Sequence, residues 1–374
     1  MAVMREDTND YQQIFLHDVP LMDVRAPVEF SQGAFPAATN IPLLDDQQRK
    51  EIGIRYKDAG QEEAIRLGLE LATADIRAQR LKAWSSYCDN HPQGFIYCFR
   101  GGLRSRTTQQ WLREQGIEYP LVRGGYKAMR RFLIDELEQS AREVPLVCVS
   151  GLTGVGKTRV LRKIRHRIDF EGLANHRGSA FGRDVLDNQP SVIDWENLVS
   201  VEFIKHRQRF PGKPVFVEDE GRHIGRINMP DYLFNALLKA PRAILHVETE
   251  TRIKLIREDY ISRSWPAYQQ TYANAAEKEF SSFVLDNLAR IQKRLGGERY
   301  QQVKQSFEHA LKALFKDGNV EEFNQGIQIL LEQYYDPMYL YQIKKKKPEI
   351  IFEGPEAEFI QWAEEYCAVQ TNNQ

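Results

Sequence analysis

The chain has 374 residues, 42% of them apolar and 28% charged, and a net charge of −1. That length suits two domains of ordinary size, and the near-neutral balance excludes a uniformly basic coat while leaving room for local basic patches. No apolar targeting core opens the sequence MAVMREDTNDYQQ and no run of 18 apolar residues follows, so the expectation is a cytoplasmic protein with no membrane partner.

Residues 15–24, FLHDVPLMDV, end in a short buried-strand pattern, and AFPAATNIPL (34–43) suggests a second strand interrupted by Pro36. Residues 44–90 carry apolar positions at helical spacing: Ala64, Leu67, Leu71, Ile76, Leu81 and Trp84. GFIYCF then predicts a buried strand, RSRTTQQWLREQG an amphipathic helix closed by Gly116, and YPLVRGG a further strand. After the helical run 127–143, PLVCVSG restarts as a strand, and the alternation continues through PVFVED (214–219) and RAILHVE (242–248). Beyond residue 278, Phe280, Phe283, Leu285, Leu288, Ile291 and Leu295 mark one helical face, and the last 40 residues or so suggest a closing strand and helix. The fold class is α/β. A parallel-sheet domain over 12–135 leads through a helix end (136–144) to a second α/β domain (145–277) and a helical part (278–374).

Cys88, Cys98, Cys148 and Cys367 form no Cys-x-x-Cys pair and no metal-ligand spacing, so reactive chemistry is a better expectation than bridging. Cys98 has the surroundings for it. In YCFRGGLRS (97–105) it ends a strand and turns through a glycine loop into a helix, where backbone amides and the helix N-terminus stabilise a thiolate or a bound anion. Arg100 and Arg104 would add charged donors, with Gly101 and Gly102 letting the loop close. A buried cysteine beside a solvated basic turn is the plainer alternative.

GLTGVGKT (151–158) matches the P-loop pattern G-x-x-x-x-G-K-[ST] between a strand and a helix. Gly151, Gly154 and Gly156 shape the cradle for a diphosphate, Lys157 reaches its outer oxygens, and the Thr158 hydroxyl is placed for Mg²⁺, which this reading allows without requiring. VFVEDEGRHIG supplies acids after an apolar strand, with Asp219 the candidate for the metal shell and a solvated acidic turn the alternative. Nothing in the motif specifies ATP. His176, Arg177 and Ser179 in ANHRGSAFG suggest a substrate loop, while Lys205 and Arg207 in EFIKHRQRF, with Arg222, suggest contacts to RNA phosphates or else a solvated face. YYDPMY (334–339) offers aromatics for base stacking or packing.

Three boxes around Cys98 carry a family resemblance. DVRAPVEFSQGAFPAATNIP (23–42), the cysteine loop and LVRGGYKAM (121–129) resemble, in order, the boxes of rhodanese domains. The loop is Cys-x5-Arg, one residue longer than the ordinary Cys-x4-Arg rhodanese loop and of the size found in cysteine phosphatases. A larger ring fits a tetrahedral phosphate-bearing donor as well as a bare chalcogen atom. A rhodanese-like domain ahead of a P-loop domain, with DFEGLANHRGSAFG and EQYYDPMY, closely resembles the bacterial tRNA 2-selenouridine synthases from Asp23 to the Tyr339 region.

That resemblance implies an enzyme that exchanges the sulfur of wobble 2-thiouridine in tRNA for selenium, with tRNA as its partner and no obligate protein partner. It implies selenophosphate and geranyl diphosphate as co-substrates and an S-geranyl intermediate. The P-loop would hold geranyl diphosphate, and the Cys98 loop selenophosphate, either through a selenium-bearing persulfide analogue or by binding the donor alone. Two rivals stay open: a kinase–cysteine phosphatase fusion acting on a small phosphorylated metabolite, and a non-catalytic RNA-binding or sulfur-carrier module.

Overall fold

A computed structural model of the chain describes residues 5–176 and 189–369. Two compact units emerge, Met1–Ser140 with Ile193–Lys205, and Ala141–Val192 with His206–Gln374.

The first unit is built on three parallel strands in the order β2-β1-β3, with β1 Leu21–Asp23, β2 Ala38–Asn40 and β3 Phe95–Tyr97. All of β1 is buried, as a central parallel strand covered on both faces requires. One face packs Trp84, Tyr87, Trp111 and Leu112; the other packs Phe15, Phe35, Met129 and Leu133. The segment YPLVRGG does not become a strand. Leu121 and Val122 make single bridges to Ile96 and Thr8. Pro120 has no N–H to give a ladder, and Gly124 and Gly125 turn the chain with φ of 74° and 59°. The helical stretch expected after residue 44 is two helices, Asp46–Leu71 and Ala74–Asn90, and the first is broken at Gly60, where φ is 83°.

In the second unit four parallel strands run β5-β4-β8-β9: β4 Leu146–Ser150, β5 Val215–Glu218, β8 Arg242–Leu245 and β9 Ile350–Gly354. A two-residue hairpin, β6 His223–Ile224 with β7 Ile227–Asn228, follows β5. The closing strand β9 and the helix Glu356–Val369 return to this sheet, where Phe359, Ala363 and Cys367 fill its core. Between β8 and β9 lies a helical assembly whose core includes Phe280, Val284, Leu288, Leu295, Phe307 and Phe323. Its helix Ala276–Leu295 buries the face read from the sequence, with Phe283 and Leu285 at the margin.

Candidate functional site

Cys98 sits where β3 ends, 3% exposed, with the helix Leu103–Arg113 starting five residues later. Its Sγ lies 3.2 Å from Ser105 Oγ, and that hydroxyl also reaches Gly102 O at 3.1 Å. One hydroxyl hydrogen therefore has two acceptors to choose from, and it can turn to sulfur when the thiol has lost its proton. The loop is held from beneath. Tyr126 N donates to Cys98 O at 2.8 Å and Lys127 N to Phe99 O at 2.9 Å. A Cβ on Gly125 would strike Cys98 O and come within 2.5 Å of Gly101 N, so the Gly-Gly box exists to let two backbones touch.

The other box residues are scaffolding. Arg25, 2% exposed, pairs with Asp23 at 2.6 Å, donates to Gly33 O at 2.8 Å and lies 3.9 Å from the Tyr126 ring centroid. Asn40 Nδ2 donates to Asp23 O and Arg25 O at 3.0 and 2.8 Å. These bonds fix both turns that flank the cysteine loop.

Arg100 is exposed on the loop. Arg104 is held by Glu29, with its two terminal nitrogens 2.5 and 3.1 Å from the carboxylate oxygens. Burial pushes the Glu29 carboxyl up, but the Arg104 pair, the Ala26 N–H and Arg49 outweigh it, and the net shift is downward. Burial raises the thiols of Cys88, Cys148 and Cys367 to about 12, which keeps those three protonated and inert.

In the second unit the P-loop joins β4 to the helix Lys157–Leu161, and Gly151, Gly154 and Gly156 have φ of 143°, 82° and 80°. A Cβ on Gly151 would sit 2.7 Å from Leu245 O, so β8 presses directly on the loop. Arg252, 1% exposed, clamps the loop from the other side: its Nε donates to Thr153 O at 2.9 Å while its terminal nitrogens pair with Asp336 at 2.9 and 2.6 Å. Asp336 belongs to YYDPMY, so that segment acts as a buttress, and Tyr339 Oη adds a contact of 3.1 Å to Ser150 Oγ.

The acid that meets the P-loop hydroxyl is Glu171, which accepts from Thr158 Oγ1 at 2.8 Å. Asp219 spends its two oxygens on Ser150 Oγ at 2.7 Å and Arg242 at 3.0 Å. Burial, then the nearby Asp169 and Glu171, push the Glu218 carboxyl well up; burial, then Glu171, do the same to Glu220, with Lys157 opposing. Among the described residues no cluster of three or more His, Cys, Asp or Glu side chains is arranged to hold a metal ion.

Of the remaining candidates, Arg177 and Ser179 lie outside the described residues. His176 lies beside Gly225, whose Cβ would meet its ring at 2.6 Å. Lys205 is paired with Asp18 at 2.8 Å and Arg222 with Asp231 at 2.5 Å, while Arg207 is half-buried in the last turn of Val192–Arg209. Sequence reasoning missed Ser105, Glu29, Glu171 and Arg252. Ser105 was adjacent to the motif arginine, and Glu29 and Glu171 lie within quoted boxes whose partners the spacing does not reveal; Arg252 carries no local signal, because its partner is distant in the chain.

A sequence model of the tRNA 2-selenouridine synthase AAA domain matches residues 144–370. The chain is also similar over almost its whole length to proteins named tRNA 2-selenouridine synthase. That of Marinobacter nauticus is 48% identical, covering 96% of this chain and 98% of its own. That of Alcanivorax borkumensis is 47% identical, covering 95% and 98%, and that of Serratia proteamaculans 46% identical, covering 95% of each. With an AAA-like P-loop domain matched as such and full-length relatives at this identity, the chain belongs to the tRNA 2-selenouridine synthase family.

Proposed function

We propose that the protein replaces the sulfur of wobble 2-thiouridine in tRNA by selenium in two steps, each run at its own anion site. In the first, geranyl diphosphate lies on the P-loop: amides of residues 151–158 and Lys157 hold the diphosphate. The 2-thiouridine sulfur attacks geranyl C1, a C–S bond forms as the C–O bond breaks, and diphosphate leaves while N3 gives up its proton. Mg²⁺ would share the diphosphate charge, with the hard oxygen donors of Thr158 and Glu171, 2.8 Å apart, as its protein partners.

In the second step selenophosphate lies in the Cys98 loop of a rhodanese-like domain. Selenium has the same oxidation level in selenophosphate and in the product, so a selenium-bearing persulfide on Cys98 would demand an oxidant that the reaction does not supply. Attack by the Cys98 sulfur at phosphorus needs none. An S–P bond forms, the P–Se bond breaks, and hydroselenide leaves to attack C2 of the S-geranyl base, expelling geranylthiol; water then cleaves the S–P bond to give phosphate. Hydroselenide is a good leaving group that needs no general acid, which separates this chemistry from that of a phosphatase on alkyl phosphates.

The observation that carries this reading is the Sγ–Oγ contact of 3.2 Å between Cys98 and Ser105 at the end of the Cys-x5-Arg loop. Ser105 can donate to sulfur when Cys98 departs from phosphorus. Acid quench of the enzyme with selenophosphate, followed by intact-mass analysis, tests it: Ser105→Ala should accumulate a phosphoryl group on Cys98, absent from Cys98→Ala. A selenium adduct on Cys98 with no phosphoryl adduct in the wild-type protein or in Ser105→Ala would refute it.

A further inference from the structure

Beside the Cys98 loop, wholly within the first unit, a cavity of about 670 Å³ opens between the helix Asp46–Leu71 and the helix Leu103–Arg113. Its floor is Leu43, Ala64 and Trp111, all buried. Its mouth is Ile54, Tyr56, Leu69 and Leu103, which are 51%, 57%, 62% and 54% exposed. Four large apolar side chains held open to water around one concavity is unusual for a soluble fold and marks a binding surface. The break at Gly60 makes the space, because the two limbs of Asp46–Leu71 diverge there.

We infer that this cavity holds the geranyl chain of the S-geranyl-2-thiouridine intermediate while selenium is delivered at Cys98; the assignment deepens the two-step reading and rests on it. Position is the first support. Leu103, Thr107 and Trp111 follow one another at i, i+4 and i+8, so the cavity runs along one face of that helix from the cysteine loop inward. That face is about 12 Å long at 1.5 Å per residue. The main chain of a geranyl group spans roughly 8–10 Å at about 1.2 Å per bond of extended chain. The geranyl sulfur is bonded to C2, the atom selenium must reach, so a chain that starts at the loop and runs inward along this face places C2 at the loop.

Charge is the second support. Arg49, Lys50 and Lys57 stand exposed at the rim, Arg49 lying 3.4 Å from Glu29, and Arg80 and Arg104 also line the cavity, so cations outnumber the one lining carboxylate, Glu29, around an apolar floor, complementary to an apolar chain carried on a polyanion. A second protein's helix would need no such ring of cations, and a free diphosphate would need no such floor. The cavity is therefore matched to a lipid-modified nucleic acid.

The test measures binding of synthetic S-methyl-, S-dimethylallyl- and S-geranyl-2-thiouridine nucleosides to the full-length protein. Each buried CH2 is worth about fourfold in affinity, so the geranyl nucleoside should bind at least about 30-fold more tightly than the dimethylallyl one. Gly53→Phe fills the cavity from a position with open space around its Cβ, and Leu69→Asp makes the exposed mouth polar. Each should lower that preference by about tenfold or more while leaving the S-methyl nucleoside unaffected. Equal affinity along the series, or a preference unchanged in both variants, overturns the assignment. Nucleoside binding is independent of geranyl transfer: a protein with this preference that makes no geranylated tRNA would overturn the two-step reading and uphold the pocket.

Discussion

Arg252 offers the sharpest separation of stability from substrate binding. Its guanidinium joins the P-loop carbonyl of Thr153 to Asp336, and its side chain is 2% exposed against 18% for Asp336. Removing one member of a buried pair costs about 3–5 kcal/mol, and partial hydration of Asp336 places Arg252→Ala near the lower end, at about 3 kcal/mol. Asp336→Asn keeps a hydrogen bond and should cost about 1–2 kcal/mol. The double variant Arg252→Met, Asp336→Leu leaves no unpaired charge, so it should recover about 2 kcal/mol relative to Arg252→Ala. Recovery of stability should not bring recovery of binding, because Thr153 O loses its donor in both. Urea unfolding followed by circular dichroism, and calorimetric titration with inorganic diphosphate, read the two quantities separately. Diphosphate affinity should fall by about tenfold in both Arg252 variants, equivalent to one lost positioning bond. Equal instability of Arg252→Ala and the double variant would refute the buried-charge reasoning. Undiminished diphosphate affinity would refute the clamp.

Gly125→Ala should destabilise the first unit by about 2 kcal/mol or more, since a methyl there meets Cys98 O at a φ of 59°, and urea unfolding would show it; a neutral result would mean that the two backbones can separate. The Glu29 carboxyl is held below its ordinary value of 4.5, so the stability it contributes is present above that pH and lost as pH falls through its folded value. Glu29→Gln should therefore cost about 1–2 kcal/mol at pH 7 and progressively less as pH falls below 4.5, as pH-dependent unfolding curves would record. Iodoacetamide on the native protein should leave Cys88, Cys148 and Cys367 unmodified at pH 7.5, read by peptide mass spectrometry; rapid labelling of any of them would contradict the burial that holds their thiols near 12.

What the sequence disclosed was local. The strand–loop–helix of GLTGVGKT and the strand into Cys98 stand where periodicity and glycine spacing place them. The helical face of Ala276–Leu295 was legible for the same reason, since a period of 3.6 survives any tertiary setting. Partners far apart in the chain were not legible. Thr158 meets Glu171, while Asp219 is engaged by Ser150 and by Arg242 two strands away in the sheet, and no spacing rule encodes that choice. EFIKHRQRF suggested a basic footprint, yet His206 within it is 6% exposed with Nε2 3.2 Å from Lys213 O, and burial lowers its pKa. YYDPMY offered aromatics for stacking or packing; Tyr334 is buried in the helical core, and the pair its aspartate makes with Arg252 was not legible. The cavity beside Cys98 was invisible for a third reason: it depends on a helix break at Gly60 that reads as an ordinary glycine in a charged stretch.

Separation of the two chemistries between Cys98 and Lys157 is tested most directly on the RNA itself. A tRNA carrying 2-thiouridine is incubated with geranyl diphosphate, with selenophosphate, or with both, using the wild-type protein, Cys98→Ala and Lys157→Ala, and its nucleosides are weighed by mass spectrometry. Cys98→Ala should accumulate S-geranyl-2-thiouridine and form no 2-selenouridine. Lys157→Ala should form little of either from 2-thiouridine, yet convert a pre-geranylated tRNA to 2-selenouridine. Loss of both products in Cys98→Ala, or selenation by Cys98→Ala at the wild-type rate, would contradict the division of labour between the two loops.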